Sequence, residues 1–231
     1  MTEIIKTCID RYAEQSHELD VRLAGLKAKF WPEHQRQLHI RFFGGSNALQ
    51  NRTIKTALEW EDYAEVEFIF DNHPRAQLRI AFDADQGSWS YIGTDALRVS
   101  QSEPTINFGW LTDKSNDSEI RRVVLHEFGH VLGLVHEHQS PNVTIPWNKE
   151  VVYRYYAGPP NYWNRAMVDA NLFAKYEKHS VDATEFDPHS IMLYPVPNQL
   201  TLGDYEIGWN GNLSELDKQK IAELYPRVRM R

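Results

Sequence analysis

The eleven residues from His126 to His136 constrain this chain more than any other stretch. They read His126-Glu127-Phe128-Gly129-His130, then Gly133, then His136. They end an amphipathic run in which Ile120, Val123, Val124, Phe128, Val131 and Leu132 recur at three- and four-residue spacing behind the capping side chains of Asn116 to Ser118. That pattern predicts a helix stopping at Gly133. A spacing of four brings His126 and His130 to one helix face about 6 Å apart, which is how a helix chelates one ion. Glycine accepts the left-handed conformation that turns a chain sharply, so Gly133 lets His136 return as a third ligand. Three neutral imidazoles and one water describe a catalytic zinc site, not a closed structural one. Glu127 follows the first ligand but points elsewhere, so it is the candidate general base for metal-bound water, whose pKa zinc lowers to about 7. Two histidines four apart are often ordinary surface or core residues. The extension through Gly133 to His136 makes that reading the weaker one.

The rest of the chain limits what such a site can serve. With 231 residues, 42% of them hydrophobic, the chain can bury a core as one domain or two tightly joined lobes. Its formal charge of -7 and pI of about 5.8, with scattered Lys and Arg, give no electrostatic footprint for nucleic acid. No window approaches the ~20 apolar residues of a membrane helix, and charged residues run through the first thirty positions in place of a secretory segment. A cytoplasmic monomer is expected, unless a non-classical route exports it. The single cysteine, Cys8, cannot form an internal disulfide.

Organisation follows from periodicity. Ile5, Cys8, Ile9 and Tyr12, then Leu19, Leu23 and Leu26, recur at helical spacing before Trp31-Pro32, which predicts a helical N-terminal extension over 1–37. On that stripe Cys8 reads as a small buried hydrophobe, and a thiolate capping the metal is the alternative. Gln37 to Phe43 reads as a strand closed by Gly44-Gly45-Ser46-Asn47, followed by a helix from about Leu49 to Tyr63 and short strands at Val66–Phe70 and Leu78–Phe82. Gly87 to Gly93 and Pro104 to Gly109 are further candidate strands. Strand, helix, strand, strand implies a mixed sheet with a helix packed on it. Prolines punctuate the region after the histidines into short elements, and Leu213 to Tyr225 closes the chain as a helix capped near Ser214. The tyrosines and tryptophans from Trp147 to Trp163 read as packing. Asp204 and Glu206 lack the spacing of a calcium loop.

The histidine motif resembles the signature of the metzincin zinc peptidases, which a tight methionine turn follows downstream. Ser190-Ile191-Met192-Leu193-Tyr194 is similar to the Met-turn of the astacin family, where Met lies beneath the metal and the tyrosine two residues later can reach the zinc. Glu137 directly after His136 also matches, and Gly87-Ser88-Trp89-Ser90-Tyr91-Ile92-Gly93 resembles that family's Gly-Cys-Trp-Ser segment. The resemblance implies that Gly87, Ser88, Trp89, Ser90 and Tyr91 form the strand along which a peptide substrate pairs. It further implies an α+β metzincin-like fold: a twisted mixed five-stranded sheet with an active-site helix, and a smaller C-terminal lobe. The lobes would span 38–133, with the zinc-binding helix, and 134–231, with the third ligand and the Met-turn; the extension 1–37 is a possible pro-segment. Ser88 stands where astacins carry a cysteine, and Leu193 where they carry a histidine, so this is a disulfide-free relative.

These readings converge on a zinc-dependent endopeptidase acting on peptides or proteins. One Zn2+ is held by His126, His130 and His136, Glu127 activates the water, Tyr194 stabilises the oxyanion, and Met192 is structural. The competing functions are a zinc-stabilised module that binds extended peptides without turnover, and a zinc hydrolase of a non-peptide amide.

Overall fold

The computed structural model describes residues 7–8, 11–12, 29–159, 161–176 and 185–227. Five short strands form one sheet: β1 Gln37–Phe42, β2 Glu67–Ile69, β3 Leu78–Ala81, β4 Ser88–Ser90 and β5 Ile106–Phe108, in the order β2-β1-β3-β5-β4. The β1–β2, β1–β3 and β3–β5 pairs are parallel, whereas β4 runs antiparallel to β5, Ser88 facing Phe108 and Ser90 facing Ile106. The mixed five-stranded sheet of the sequence reading is therefore present, with β4 as an edge strand. An edge strand offers unpaired backbone groups to any extended segment nearby.

Two helices pack against the sheet, α1 Asn47–Ala57 and α2 Asp117–Val131, capped by Ser46 and Asn116, whose side chains accept from the N–H groups of Leu49 and Glu119. The face of α2 that carries Ile120, Val123, Val124, Phe128 and Val131 is buried with Leu38, Ile40, Ile80 and Ile106. Phe128 meets Phe68 edge to face at 5.1 Å. Beyond α2 lie α3 Lys149–Ala157, the single turn α4 Arg165–Val168, and α5 Glu215–Leu224, which starts with a capping box between Ser214 and Asp217. Val152, Tyr156, Trp163, Val168 and Leu172 build a second core there, with Tyr156 stacked on Trp163. Most of the aromatic run is packing, as expected, whereas Tyr162 is exposed. No described helix is long and apolar enough to cross a membrane.

The N-terminal extension departs from the helical expectation. Thr7 and Cys8 are not helical, and Arg11 forms a parallel bridge with Tyr91, just past β4: its N–H donates to the Ser90 carbonyl at 3.4 Å, and its carbonyl accepts from Ile92 N–H at 3.1 Å. Over 30–36 the chain makes only a short 3-10 turn at Glu33–Gln35 before β1, and the rest of the expected helix lies outside the described residues. The free edge of β4 wins because it supplies backbone partners that a solvated helix face does not. Further on, Trp31 is fully buried in the main core.

Candidate active site

The C-terminal end of α2 is fixed by buried aromatics. A helix end leaves its last carbonyls without intrahelical partners. Here Trp31 Nε1 donates to the Val131 carbonyl at 2.7 Å and Tyr225 Oη to that of Leu132 at 2.8 Å, while Trp60 Nε1 adds a bond to the Leu125 carbonyl further back along the helix. Gly133, at φ 90°, ends the helix in a Schellman motif, with Leu134 N–H bonded to the Gly129 carbonyl and Gly133 N–H to that of His130. His136 then returns toward the helix as expected. Gly129 is needed for a different reason: a Cβ there would lie 2.3 Å from Met192 Sδ, so the methionine packs directly under the helix that carries both histidines.

The three imidazoles converge through one type of atom. Nε2 of His136 lies 3.3 Å from Nε2 of His126 and 3.1 Å from Nε2 of His130. The opposite ring nitrogens are held as donors: His126 Nδ1 to the Ile191 carbonyl at 2.7 Å, and His130 Nδ1 to the Leu134 carbonyl at 2.9 Å. Tyr194 Oη donates to the Cys8 carbonyl, so it is left to accept from His136 Nδ1 at 3.3 Å. All three Nε2 atoms therefore face inward as lone pairs. Burial, with neighbouring His130 and His136, holds the His126 pKa well below the ordinary imidazole value, which keeps that lone pair available.

A fourth donor completes the set. Cys8 Sγ lies 3.1 Å from Nε2 of His126, 3.6 Å from that of His130 and 3.1 Å from that of His136, and all four ligand atoms fall within 4.8 Å of one another. Zinc bonds of about 2.0–2.1 Å to nitrogen and 2.3 Å to sulfur give tetrahedral edges of about 3.3 Å and 3.6 Å. The donors fit a zinc ion in number, chemistry and spacing. Cys8 is buried as expected, but it is not mere apolar filler: the thiol sits on the imidazole nitrogens. Its helical spacing concealed this, because Thr7 and Cys8 are not helical and Cys8 lies in the cleft.

Around this centre the remaining predicted residues take up definite positions. Glu127 is buried, with Oε2 2.9 Å and its carbonyl 3.0 Å from the Ser90 hydroxyl, so one residue of β4 orients the carboxylate. Ser88 Oγ accepts from Trp110 N–H, Gly87 turns the chain into the strand at φ 66°, and Trp89 and Tyr91 share the opposite face, 5.9 Å apart edge to face. Tyr194 lies beside His136, ring centroids 4.3 Å apart. His138 is buried and stacked on His136, while His189 is exposed.

Sequence reasoning missed the residue that holds the Met-turn. Asp217, the capping-box acid of α5, accepts from Ser190 Oγ at 2.7 Å and from Ile191 N–H at 2.8 Å, and Ile191 in turn orients His126. One carboxylate thus ties the last helix to the first imidazole. Glu137 is half-buried nearby, and its desolvation together with Asp217 and Asp187 pushes its pKa up to about 7.

Fold and donor set define a zinc metallopeptidase of the metzincin type. Residues 25–226 match the Astacin peptidase family, and the chain belongs to that family. The solved structure of myroilysin is 42% identical and superposes with a TM-score of 0.85, covering 88% of this chain and 98% of its own. A crystal structure of myroilysin gives 39% and 0.72 over 97% and 93% of the two chains. High choriolytic enzyme 1, a hatching enzyme zinc-protease from the medaka fish Oryzias latipes, shares the fold at 15% identity and a TM-score of 0.59, over 86% of this chain and 95% of its own. Zinc metalloproteinase nas-39 of Caenorhabditis elegans is 28% identical over 134 residues, which are 57% of this chain and only 13% of that much longer protein.

Proposed function

We propose that this chain is the latent form of an endopeptidase whose zinc is held by His126, His130 and His136, with Glu127 as proton carrier and Tyr194 as oxyanion donor. The observation that carries this reading is the path of the chain's own N-terminal segment. It pairs through Arg11 beside β4, puts Cys8 on the imidazoles, and offers the Cys8 carbonyl to the Tyr194 hydroxyl. A peptide substrate would use the same strand, and its scissile carbonyl the same phenol. Only about 20 Å³ remains in the cleft between Cys8, Glu127, Tyr194 and Trp209, room for little more than one water.

Zinc, when bound, supplies a Lewis acid that polarises the scissile carbonyl and makes water more acidic. Glu127 accepts a proton from that water as its oxygen bonds to the carbonyl carbon, and returns the proton to the amine as the C–N bond breaks. Ser90 holds the carboxylate for both transfers. The Tyr194 hydroxyl donates to the oxygen as it gains charge. Met192 supports the two helix histidines from below. The inhibitory segment ends before Lys29 in this reading, not at 37, because Trp31 packs in the main core and bonds the end of α2.

Digestion of an unbiased peptide library by the zinc-loaded Cys8→Ala chain, read by mass spectrometry with metal analysis, tests the assignment. Absence of any cleavage with full zinc would sink it. In the same background His136→Ala leaves two imidazoles, and zinc occupancy should fall sharply; full occupancy would mean the third ligand is misassigned. Keeping Cys8 would mask the loss, since the thiolate could replace the missing imidazole. Tyr194→Phe, also in that background, should lower kcat by about 10–1000-fold with zinc content and KM close to the parent. An unchanged kcat would remove Tyr194 from the mechanism.

A further inference from the structure

On the face of β4 turned away from Glu127, a pocket of about 640 Å³ opens among Phe82, Asp83, Trp89, Tyr91 and Glu103, and Arg11 enters it. The Arg11 guanidinium lies 3.6 Å from the centroid of the Trp89 ring, and Tyr91 adds a side-chain hydrogen bond to it. Cations favour the faces of indole rings, and arginine stacks on them especially well. The pocket's two carboxylates sit on loops anchored by buried side chains. Asn107 bonds both the N–H and the carbonyl of Asp83, and Arg79 Nε donates to the Glu103 carbonyl at 2.6 Å. Trp89 Nε1 is buried and has no hydrogen-bond partner among the described residues. An aromatic floor and two tethered carboxylates suit a cationic side chain, and Arg11 uses the floor.

We propose that this pocket is a specificity subsite for an arginine or lysine side chain of the peptide substrate, and that Arg11 is the chain's own stand-in for it. The inference rests on the proposed pairing of substrate with β4. Cys8 marks the reacting centre, and Arg11 follows it by three residues; a substrate extended along β4 would cover about 10 Å over the same count. The favoured basic residue therefore lies about three positions from the scissile bond. Lysine fits the same charge but stacks less well, so arginine should be preferred.

The test uses the full chain carrying Cys8→Ala and Arg11→Ala, which vacates both the centre and the pocket. Probes are blocked peptides of one sequence that differ at a single position three residues from the cleaved bond: Arg, Lys, norleucine or Glu. Binding is read from the Trp89 indole N–H resonance, assigned by Trp89→Phe, and turnover from competitive kcat/KM. The Arg peptide should exceed the norleucine peptide by about 3- to 30-fold in both readouts, the range expected of a cation on a buried indole, and Glu should rank last. Asp83→Asn with Glu103→Gln should shrink the Arg-to-norleucine ratio. Equal affinity and turnover for Arg and norleucine would overturn the subsite while leaving the peptidase intact. Arg-selective binding without cleavage of any peptide would leave the subsite standing and refute turnover.

Discussion

Glu127→Gln, made in the Cys8→Ala background, should keep its zinc and lose catalysis by on the order of 10²–10⁴-fold. The change preserves the size of the side chain and its acceptor oxygen, so Ser90 Oγ can still bond it where it now lies 2.9 Å from Oε2. What disappears is basicity. The three imidazoles are oriented by Ile191, Leu134 and Tyr194 and owe nothing to the carboxylate, so metal content should match the parent in direct analysis. Peptide affinity should also survive, because it depends on backbone pairing with β4. This separates turnover from binding. A parent that binds peptides tightly but is no faster than the Gln variant would favour the peptide-binding module. Loss of zinc in the Gln variant would mean that the carboxylate supports the ligand shell.

The active-site helix was legible because its chemistry is local: ligand spacing, cap and terminating glycine all lie between Asn116 and His136, and each local preference agrees with the fold. The strands were legible within one to three residues, since the glycine and proline punctuation around them survives in the sheet. Helix α3 was hidden by flanking prolines, although Val152 and Tyr156 at a spacing of four do form its buried face. The role of Asp217 was invisible because an acid at the third position of a capped helix needs no further explanation, and its grip on Ser190 and Ile191 exists only in three dimensions. Cys8 shows the sharper limit. Ile5, Cys8, Ile9 and Tyr12 satisfy a helical period, but a period of three to four over so few residues is weak, and at Cys8 and Arg11 a metal centre and an open sheet edge override it.

Replacing Cys8 by Ala should turn a nearly silent full chain into an active one. A bias of about 2.7 kcal/mol toward the capped state would leave roughly 1% of molecules open, so removing the cap should raise kcat/KM about 100-fold. A larger bias would give a larger rise. The bias has three sources at the centre: the Cys8 sulfur within 3.1–3.6 Å of three imidazole nitrogens, the bond from Tyr194 to the Cys8 carbonyl, and the pairing of Arg11 with Ser90 and Ile92. Only the first is lost in Cys8→Ala, which replaces a ligand by a methyl group and leaves the segment its backbone contacts. The gain should therefore be partial, and Arg11→Ala should add to it by weakening the remaining hold on β4. Cys8→Ser is the informative control. A neutral hydroxyl is a far weaker zinc ligand than a thiolate, so it should behave like Ala if ligation is the block, but like the parent if the segment merely fills space. Rates are read on one peptide from the library, at equal zinc content in every form. Equal activity of Cys8→Ala and the parent would show that the thiol does not hold the enzyme latent.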